Sequence, residues 1–211
     1  MSIEERGSFK EFVDGYDAVL PEQGKPLVVA ESDLSSALEK YQEILGFSLY
    51  YVNKDYGVNA VLSPEEIHLF LKTAHKIHKR NHFHSQRLAL FTSRLIQNSY
   101  ERGSTHFNLQ LQEIPPLYGV GMYIHGTADL PVIISVMGKV GWNFGCSSEF
   151  CEFTLEGDSS PQIGYCAKNC TFKTANKKTL ELFLNHEKQL SGAGNKIIFI
   201  HGQGVEELIK R

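Results

Sequence analysis

The sequence predicts an α+β N-terminal portion followed by a short right-handed β-solenoid of about three 19-residue coils, which is capped by a helix and a strand. Helical patterns dominate before residue 105, a glycine-containing segment recurs with a period of 19 after Gly119, and a further helical pattern follows that repeat. We therefore expect two domains. Residues 1–105 form an α+β helical domain whose ordered part is 25–105, and residues 106–211 form the β-solenoid with a C-terminal helix–strand–helix cap.

The composition is that of a folded chain without a strong charge bias. Hydrophobic residues make up 42% of the chain, aromatic residues 11%, and the formal net charge is −3, so the overall charge gives no reason to expect nucleic acid or an anionic membrane. No apolar run approaches the roughly 18 residues of a membrane-spanning helix, and the first residues lack an apolar signal stretch. We expect a cytoplasmic protein whose cysteines are thiols or metal ligands rather than disulfides.

The first part of the chain is predicted to combine short strands with helices. Residues 1–25 are charged and contain glycines, and we interpret them as an irregular lead-in. Lys25–Ala30 is a short apolar run typical of a strand, and residues 31–46 carry apolar side chains at helical spacing that ends at a glycine. Residues 47–62 predict two strands around a polar turn.

The sequence SPEE, which begins at Ser63, predicts the start of a helix. Ser63 is a suitable cap, Pro64 fits the first helical position, and Glu66 completes a capping box. Apolar residues then recur at helical spacing. A further helix is predicted for Ser85–Tyr100, and the alternating residues 106–114 predict a strand.

Three units after Gly119 share one pattern. Each has a glycine, then five residues, then a small apolar residue, and a large apolar residue two positions after the small one. Successive units have an offset of 19, and their equivalent positions are Gly126, Gly145 and Gly164, then Val132, Cys151 and Cys170, then Ile134, Phe153 and Phe172. Such a period suits one coil of a β-solenoid, in which strands of successive coils stack about 4.8 Å apart. We expect the apolar positions to stack in the interior. The glycines expected at the corners are Gly126, Gly145, Gly157 and Gly164.

The residues after the repeat predict its cap. The third unit departs from the repeat at Asn176, which stands where the earlier units have Gly138 and Gly157. Residues 177–192 predict a helix that closes the stack, since an end coil exposes strand edges and an apolar core. Residues 195–211 predict a buried strand, a glycine-containing turn and the start of a helix.

The stretch VGWNFGCSSEFCEFTLEGDSSPQIGYCAKNCTFKT resembles the GXGXG β-solenoid domain, which closes the large subunit of glutamate synthase and forms most of one of the subunits of formylmethanofuran dehydrogenase. The resemblance covers residues 119–175 and is carried by Val140, Gly141, Phe144, Gly145, Leu155, Glu156, Gly157, Asp158, Ile163 and Gly164. Where the family usually has a glycine pair before the strand, this chain has Phe150-Cys151 and Asn169-Cys170. The resemblance implies a solenoid that holds other parts in place without performing chemistry itself.

The cysteines form the pattern C-x4-C-x14-C-x3-C. Cys151 and Cys170 fall on the stacked interior positions, where a small apolar thiol packs well. Cys146 and Cys166 have an offset of 20, so we expect them near corners as the more accessible pair. Adjacent coils could bring the thiols together as a zinc site, and a catalytic thiolate is a third alternative. We predict a packing role and no cofactor, with zinc as the alternative.

Histidines fall near one face of the helix that begins at SPEE. The cluster consists of His68, His75, His78 and His82, with His84 close by. Spacings of three, four and seven residues allow metal chelation. Because the apolar stripe of the helix lies beside these residues, we predict that they border the core instead.

The segment from Lys72 to Arg102 is strongly basic, with seven Lys and Arg residues against one acid, Glu101. Such an excess binds phosphates or an acidic partner surface, or it forms an ordinary solvated helix face. The residues predicted to contact an anionic partner are Lys76, Lys79, Arg80 and Arg87. A protein partner or a second copy of the chain is favoured over nucleic acid, because the net charge is −3.

No catalytic residue is identified in the sequence, which has no nucleotide P-loop, no HExxH and no GxSxG. We predict a non-catalytic scaffold or protein-interaction module. One alternative is a metal-dependent or nucleic-acid-directed enzyme that uses the Cys and His residues or the turn His201–Gly204, which is similar to the HGxG turn of Smr-type nuclease domains. The other is an accessory subunit of a redox complex, as the GXGXG resemblance implies.

Overall fold

The computed structural model describes five stretches of the chain, which are residues 31–45, 57–77, 82–185, 194–201 and 206–210. All of them belong to one compact unit, Glu31–Arg211. The lead-in predicted for residues 1–25 and the strand predicted for Lys25–Ala30 lie outside these stretches. The predicted division between residues 105 and 106 stays a prediction.

Three helices precede the sheet in the described residues, and we number them α1 (Glu31–Ile44), α2 (Pro64–Ile77) and α3 (His82–Tyr100). The capping box predicted at the start of α2 is confirmed. The backbone N–H of Ser63 donates to the Glu66 carboxylate at 2.7 Å, and the backbone N–H of Glu66 donates to the Ser63 hydroxyl oxygen at 3.2 Å. A cap of this kind stabilises a helix by about 1 kcal/mol.

The three helices meet in an aromatic core. Tyr41 of α1, Phe70 of α2 and Phe91 of α3 are fully buried. The ring centroids lie 5.6 Å apart for Tyr41 and Phe70, 5.3 Å for Tyr41 and Phe91, and 5.1 Å for Phe70 and Phe91. These separations are typical of favourable aromatic pairs, so the cluster fixes the helices relative to one another.

The segment before α2 differs from its prediction. The first strand predicted within residues 47–62 falls outside the described residues, and the second is wrong, because residues 57–62 have no regular secondary structure. The Asn98 side-chain amide donates to the carbonyl oxygens of Val58 at 2.7 Å and Ala60 at 3.0 Å. Because a side chain satisfies these carbonyls, the segment needs no neighbouring strand at this point.

The strands of the described residues are β1 (His106–Leu111), β2 (Val132–Gly138), β3 (Cys151–Leu155), β4 (Thr171–Thr174), β5 (Lys196–Ile200) and β6 (Glu206–Lys210). They form one sheet in chain order. Neighbours from β1 to β5 are parallel, and β6 is antiparallel to β5. The coarser prediction, a mixed α+β protein, is therefore confirmed, with a mostly parallel sheet.

The strand register reproduces the repeat of the sequence. Ile134 pairs with Phe153, and Phe153 pairs with Phe172, so each offset is 19. The sheet also extends beyond the repeat at both ends. Phe107 of β1 pairs with Ile134 at an offset of 27, and Phe172 pairs with Ile197 of β5 at an offset of 25. Both segments are predicted as strands, and these two predictions are confirmed, but the period of 19 does not predict that they join this sheet.

The predicted interior stack is confirmed. Val132 pairs with Cys151, and both are buried, as is Cys170, which lies 19 residues after Cys151. Beside them, the rings of Phe153 and Phe172 are stacked with centroids 5.2 Å apart and an interplanar angle of 18°. In-register parallel strands place like residues above one another, so the sequence repeat becomes a continuous apolar core.

The cap after the repeat begins with helix α4, Lys177–Asn185. The departure at Asn176 has a local cause, because its side-chain oxygen accepts hydrogen bonds from the backbone N–H groups of Lys178 at 3.0 Å and Thr179 at 3.2 Å. Asn176 therefore caps α4, as asparagine often does. Phe183 of α4 is buried and covers the Phe172 ring, with centroids 5.9 Å apart.

The helix predicted at the end of the chain is wrong. Glu206–Lys210 forms the strand β6, in which Leu208 pairs with Ile198 of β5. Pairing with β6 satisfies the backbone N–H and C=O groups along the edge of β5, which a terminal helix would leave without partners. Tertiary context therefore overrides the predicted helix. The cap is therefore a helix followed by two strands.

Candidate functional site

Residues with positive φ recur beside the sheet. Asn143, Gly145 and Ser147 have φ angles of 65°, 64° and 55°. The residues 19 positions later, with φ angles of 65°, 60° and 58°, are Gln162, Gly164 and Cys166. The backbone conformation thus repeats at the same offset as the strands.

Backbone hydrogen bonds join these segments from one unit to the next. The N–H of Gly164 donates to the carbonyl oxygen of Phe144 at 2.8 Å. Glu149 forms parallel bridges with both His125 and Lys168, so it links three successive units. Successive units are consequently joined twice, once through their paired strands and once through the segments that contain the positive-φ residues.

Gly145 is constrained mainly by two rings that lie close to it. A Cβ there would lie 2.9 Å from the Phe172 ring and 3.0 Å from the Phe153 ring. Its φ of +64° adds a cost for other residues, although Asn143 adopts a φ of 65° without being glycine. Gly164 has the same backbone conformation, with a φ of 60°. Gly145 therefore leaves room for the stacked rings.

Gly157 and Gly126 are constrained by backbone that passes close to them. A Cβ on Gly157 would collide with the carbonyl oxygen of Gly138, which is the equivalent residue of the preceding unit. A Cβ on Gly126 would collide with the carbonyl oxygen of Phe150. These positions are tight approaches between successive units.

Cys151 and Cys170 are buried thiols that point at one another and at backbone carbonyl oxygens. The Cys151 Sγ lies 3.4 Å from the carbonyl oxygen of Ile124 and 3.3 Å from that of Glu149. The hydrogen bond with Cys170 and burial both raise the pKa of Cys151. A thiol surrounded by acceptors stays protonated at neutral pH, which fits packing and not nucleophilic chemistry.

Cys146 is buried and Cys166 is exposed, so the prediction that they form the accessible pair is wrong for Cys146. The Cys146 Sγ lies 3.2 Å from the carbonyl oxygen of Gln162, and burial raises the pKa of Cys146 to about 12. Among the described residues, no three His, Cys, Asp or Glu side chains are grouped so that they could hold a metal ion. The absence of a zinc site stays a prediction.

The basic residues predicted to contact a partner have different environments. Lys76 is exposed in the last turn of α2. Arg87 is half-buried in α3 and donates from its guanidinium to the carbonyl oxygen of Leu45 at 3.1 Å. This bond ties α3 to the end of α1, so Arg87 has a structural role. Lys79 and Arg80 lie outside the described residues.

The histidines are dispersed in the part of the chain that the structure describes. His84 is buried in the helical core, with its Nδ1 2.9 Å from the Tyr41 hydroxyl oxygen. His75 donates from Nδ1 to the Leu71 carbonyl oxygen at 3.3 Å. Burial, together with the charge of Lys72, lowers the pKa of His68. The side chains of His78 and His82 are outside the described set.

The turn similar to that of nuclease domains is described only at its first residue. His201 is exposed and contacts the Glu207 carboxylate through Nε2. The three residues that complete HGQG, residues 202–204, lie outside the described residues. The nuclease alternative consequently gains no geometric support from this contact.

A cleft of about 460 Å³ lies where β1, β2 and β3 end, and sequence reasoning missed it. Its lining residues are Leu111, Gln112, Ile114, Pro116, Met137, Gly138, Lys139, Glu156, Gly157 and Asp158. The repeat contains the signal that could have found it. Met137 and Glu156 are related by the offset of 19, as are Lys139 and Asp158, so each pair occupies the same position in neighbouring repeat units.

The charges of the cleft are unevenly paired. The Lys139 Nζ lies 3.8 Å from the Asp158 Oδ2, with side chains 68% and 41% exposed. The other Asp158 oxygen accepts a hydrogen bond from the Asn176 side-chain amide at 3.1 Å. Within the described residues, the Glu156 carboxylate has no hydrogen bond or ion pair. Asp158 is thus held in place, whereas Glu156 is available to a ligand.

Comparison with known proteins identifies no relative. No family model matches the chain, and neither a curated protein nor a solved structure matches it. None of the described helices has the length and apolar character to cross a membrane. The resemblance to the GXGXG domain therefore rests on the residues quoted for it.

Proposed function

We propose that this chain is a non-catalytic protein-interaction module built on a right-handed β-solenoid of the GXGXG type. The observation that carries the proposal is the offset of 19 that the strands and the positive-φ segments share. A solenoid of stacked coils is the simplest chain path that repeats both features at one period. Glycines at tight approaches between units support the same reading.

The proposed absence of catalysis follows from how the repeat uses its reactive side chains. Cys151 and Cys170 face backbone carbonyl oxygens, and the raised pKa of Cys146 disfavours its thiolate. The remaining inward positions hold stacked apolar groups such as Phe153. Residues committed to a close-packed core are poor candidates for binding and turning over a substrate.

The proposed contact surface is a basic stripe on α2, which we define as Lys72 and Lys76. His68 lies one turn earlier on the same face, but its lowered pKa means that it adds no positive charge at neutral pH. These residues are four positions apart, so they lie on one face of the helix. Lys76 is exposed, and Lys72 and His68 are partly exposed. The stripe would bind an acidic surface of a protein partner, including a second copy of this chain, and its attraction would weaken with salt. Arg87 is left out of the stripe because it supports the helix packing.

Charge reversal tests this proposal. Partners captured by the wild-type protein at low salt should be lost with Lys72→Glu/Lys76→Glu and kept with the matched control Lys177→Glu/Lys178→Glu, which changes two exposed lysines of α4. Direct binding of each purified partner, measured at increasing salt, should repeat the result. If every partner binds all three proteins equally, the stripe is an ordinary solvated face and the proposed contact is wrong.

A further inference from the structure

The cleft at the ends of β1, β2 and β3 has the size of a small-molecule site. Its volume of about 460 Å³ falls within the range common for ligand pockets. It lies at the carboxyl ends of parallel strands, where loops of successive units converge on one edge of the sheet. Such edges place side chains from different units around one ligand.

The lining of the cleft combines apolar and charged side chains. Leu111, Ile114 and Met137 are apolar, and Glu156 and Asp158 contribute two carboxylates against the one ammonium of Lys139. Val136 pairs with Leu155, so the next residues, Met137 and Glu156, are neighbours on adjacent strands. An aliphatic stem can therefore lie along the apolar residues, and the excess of one negative charge favours a cationic head group.

We propose that this cleft binds a small aliphatic amine or guanidinium compound, with the cation at Glu156 and the stem along Met137. Lys139 already faces Asp158 at 3.8 Å, and Asp158 is also held by Asn176. An anionic ligand would compete for Lys139 against Asp158 and would face Glu156 as well. This site is distinct from the basic stripe, so the proposal does not depend on the proposed function.

Three probes with the same stem test the charge preference. They are hexylammonium, hexanoate and hexanol, added to the full-length protein whose methionine methyl groups carry ¹³C. The chain has three methionines, and Met137 lines the cleft whereas Met122 does not, so Met122 is an internal control. We expect hexylammonium to shift the Met137 methyl signal in a saturable way and to leave Met122 unchanged. Equal shifts with all three probes, or no shift with hexylammonium, would overturn the proposal.

Two single substitutions test the assigned residue. Glu156→Gln should weaken hexylammonium binding about threefold to tenfold, the range for one partly exposed charge contact. The control Asp129→Asn, which neutralises an exposed carboxylate outside the lining, should leave binding unchanged. Thermal unfolding and the unperturbed Met122 signal show whether each variant is folded. Unchanged affinity in a folded Glu156→Gln protein would remove Glu156 from the site.

Discussion

The helical region, Glu31–Tyr100, and the stacked sheet, residues 106–201, are held together in different ways. In the described part of the helical region, polar contacts such as the bond from Arg87 to Leu45 or from Asn98 to Val58 join two particular side-chain and backbone groups. In the sheet, the same contact recurs from one unit to the next at an offset of 19. A repeat therefore makes its middle unit depend on two interfaces with the same register, whereas the helical region depends on individual contacts.

The largest expected effect comes from the middle of the ring stack. Phe153 lies between Phe144 and Phe172, at centroid distances of 5.2 Å from each. Phe153→Ala should lower the free energy of unfolding by about 3–5 kcal/mol, because a large ring buried on both sides is lost. Chemical denaturation followed by circular dichroism measures the change. A loss below about 1 kcal/mol would mean that the units are not coupled through this stack.

The next effect is expected at Gly145. Gly145→Ala combines an unfavourable φ of +64° with a Cβ about 3 Å from two rings, so we expect a loss of about 2 kcal/mol. The matched control is Gly57→Ala, where φ is +62° and an added Cβ would meet only the Cε of the flexible Lys40 side chain, at 3.8 Å. Equal losses in the two variants, measured by denaturation, would show that φ alone matters and that the approach of the rings does not.

A smaller effect is expected where the repeat gives way to α4. Asn176→Ala removes the cap of α4 and the bond to Asp158, and it should cost about 1 kcal/mol. Asn176→Gly restores the repeat glycine and should cost only a few tenths of a kcal/mol. Thermal melts of the two variants measure the difference. If glycine is the more harmful substitution, Asn176 is not acting as a cap.

The smallest effect on the fold is expected from the exposed thiol. Cys166 should be the thiol that reacts rapidly with a thiol reagent at about pH 8, because a buried thiol with a pKa of about 12, as in Cys146, holds almost no thiolate there. Cys166→Ser should abolish the rapid reaction and leave the melting temperature nearly unchanged. Rapid labelling that survives this substitution would contradict the burial of the other thiols.

A metal assay completes this test. We expect purified protein to contain no stoichiometric zinc, because Cys151 and Cys146 direct their sulfur atoms at carbonyl oxygens. Zinc bound at one equivalent and lost with Cys146→Ser would show that the packing role is wrong.

Several features of the fold and the candidate sites follow from short-range or periodic patterns. The capping box of Ser63 and Glu66 is visible because its partners are three residues apart. The stack of Phe153 on Phe172 is visible because equal offsets put equivalent residues on neighbouring strands. The same offset relates Lys139 to Asp158, so one side of the cleft was also within reach of sequence reasoning.

Only the tertiary structure decided the features that depend on partners far along the chain. The outer strands β1 and β5 join the sheet at offsets of 27 and 25, which no period of 19 predicts. Residues 206–210 form a strand because β5 offers an edge, although the sequence predicts the start of a helix there. The sequence by itself determined local caps and the periodic core, since these depend on fixed spacing. Long-range pairing decided which strands join the sheet. Hydrogen bonding of the free N–H and C=O groups at a strand edge, together with packing, outweighs local propensity.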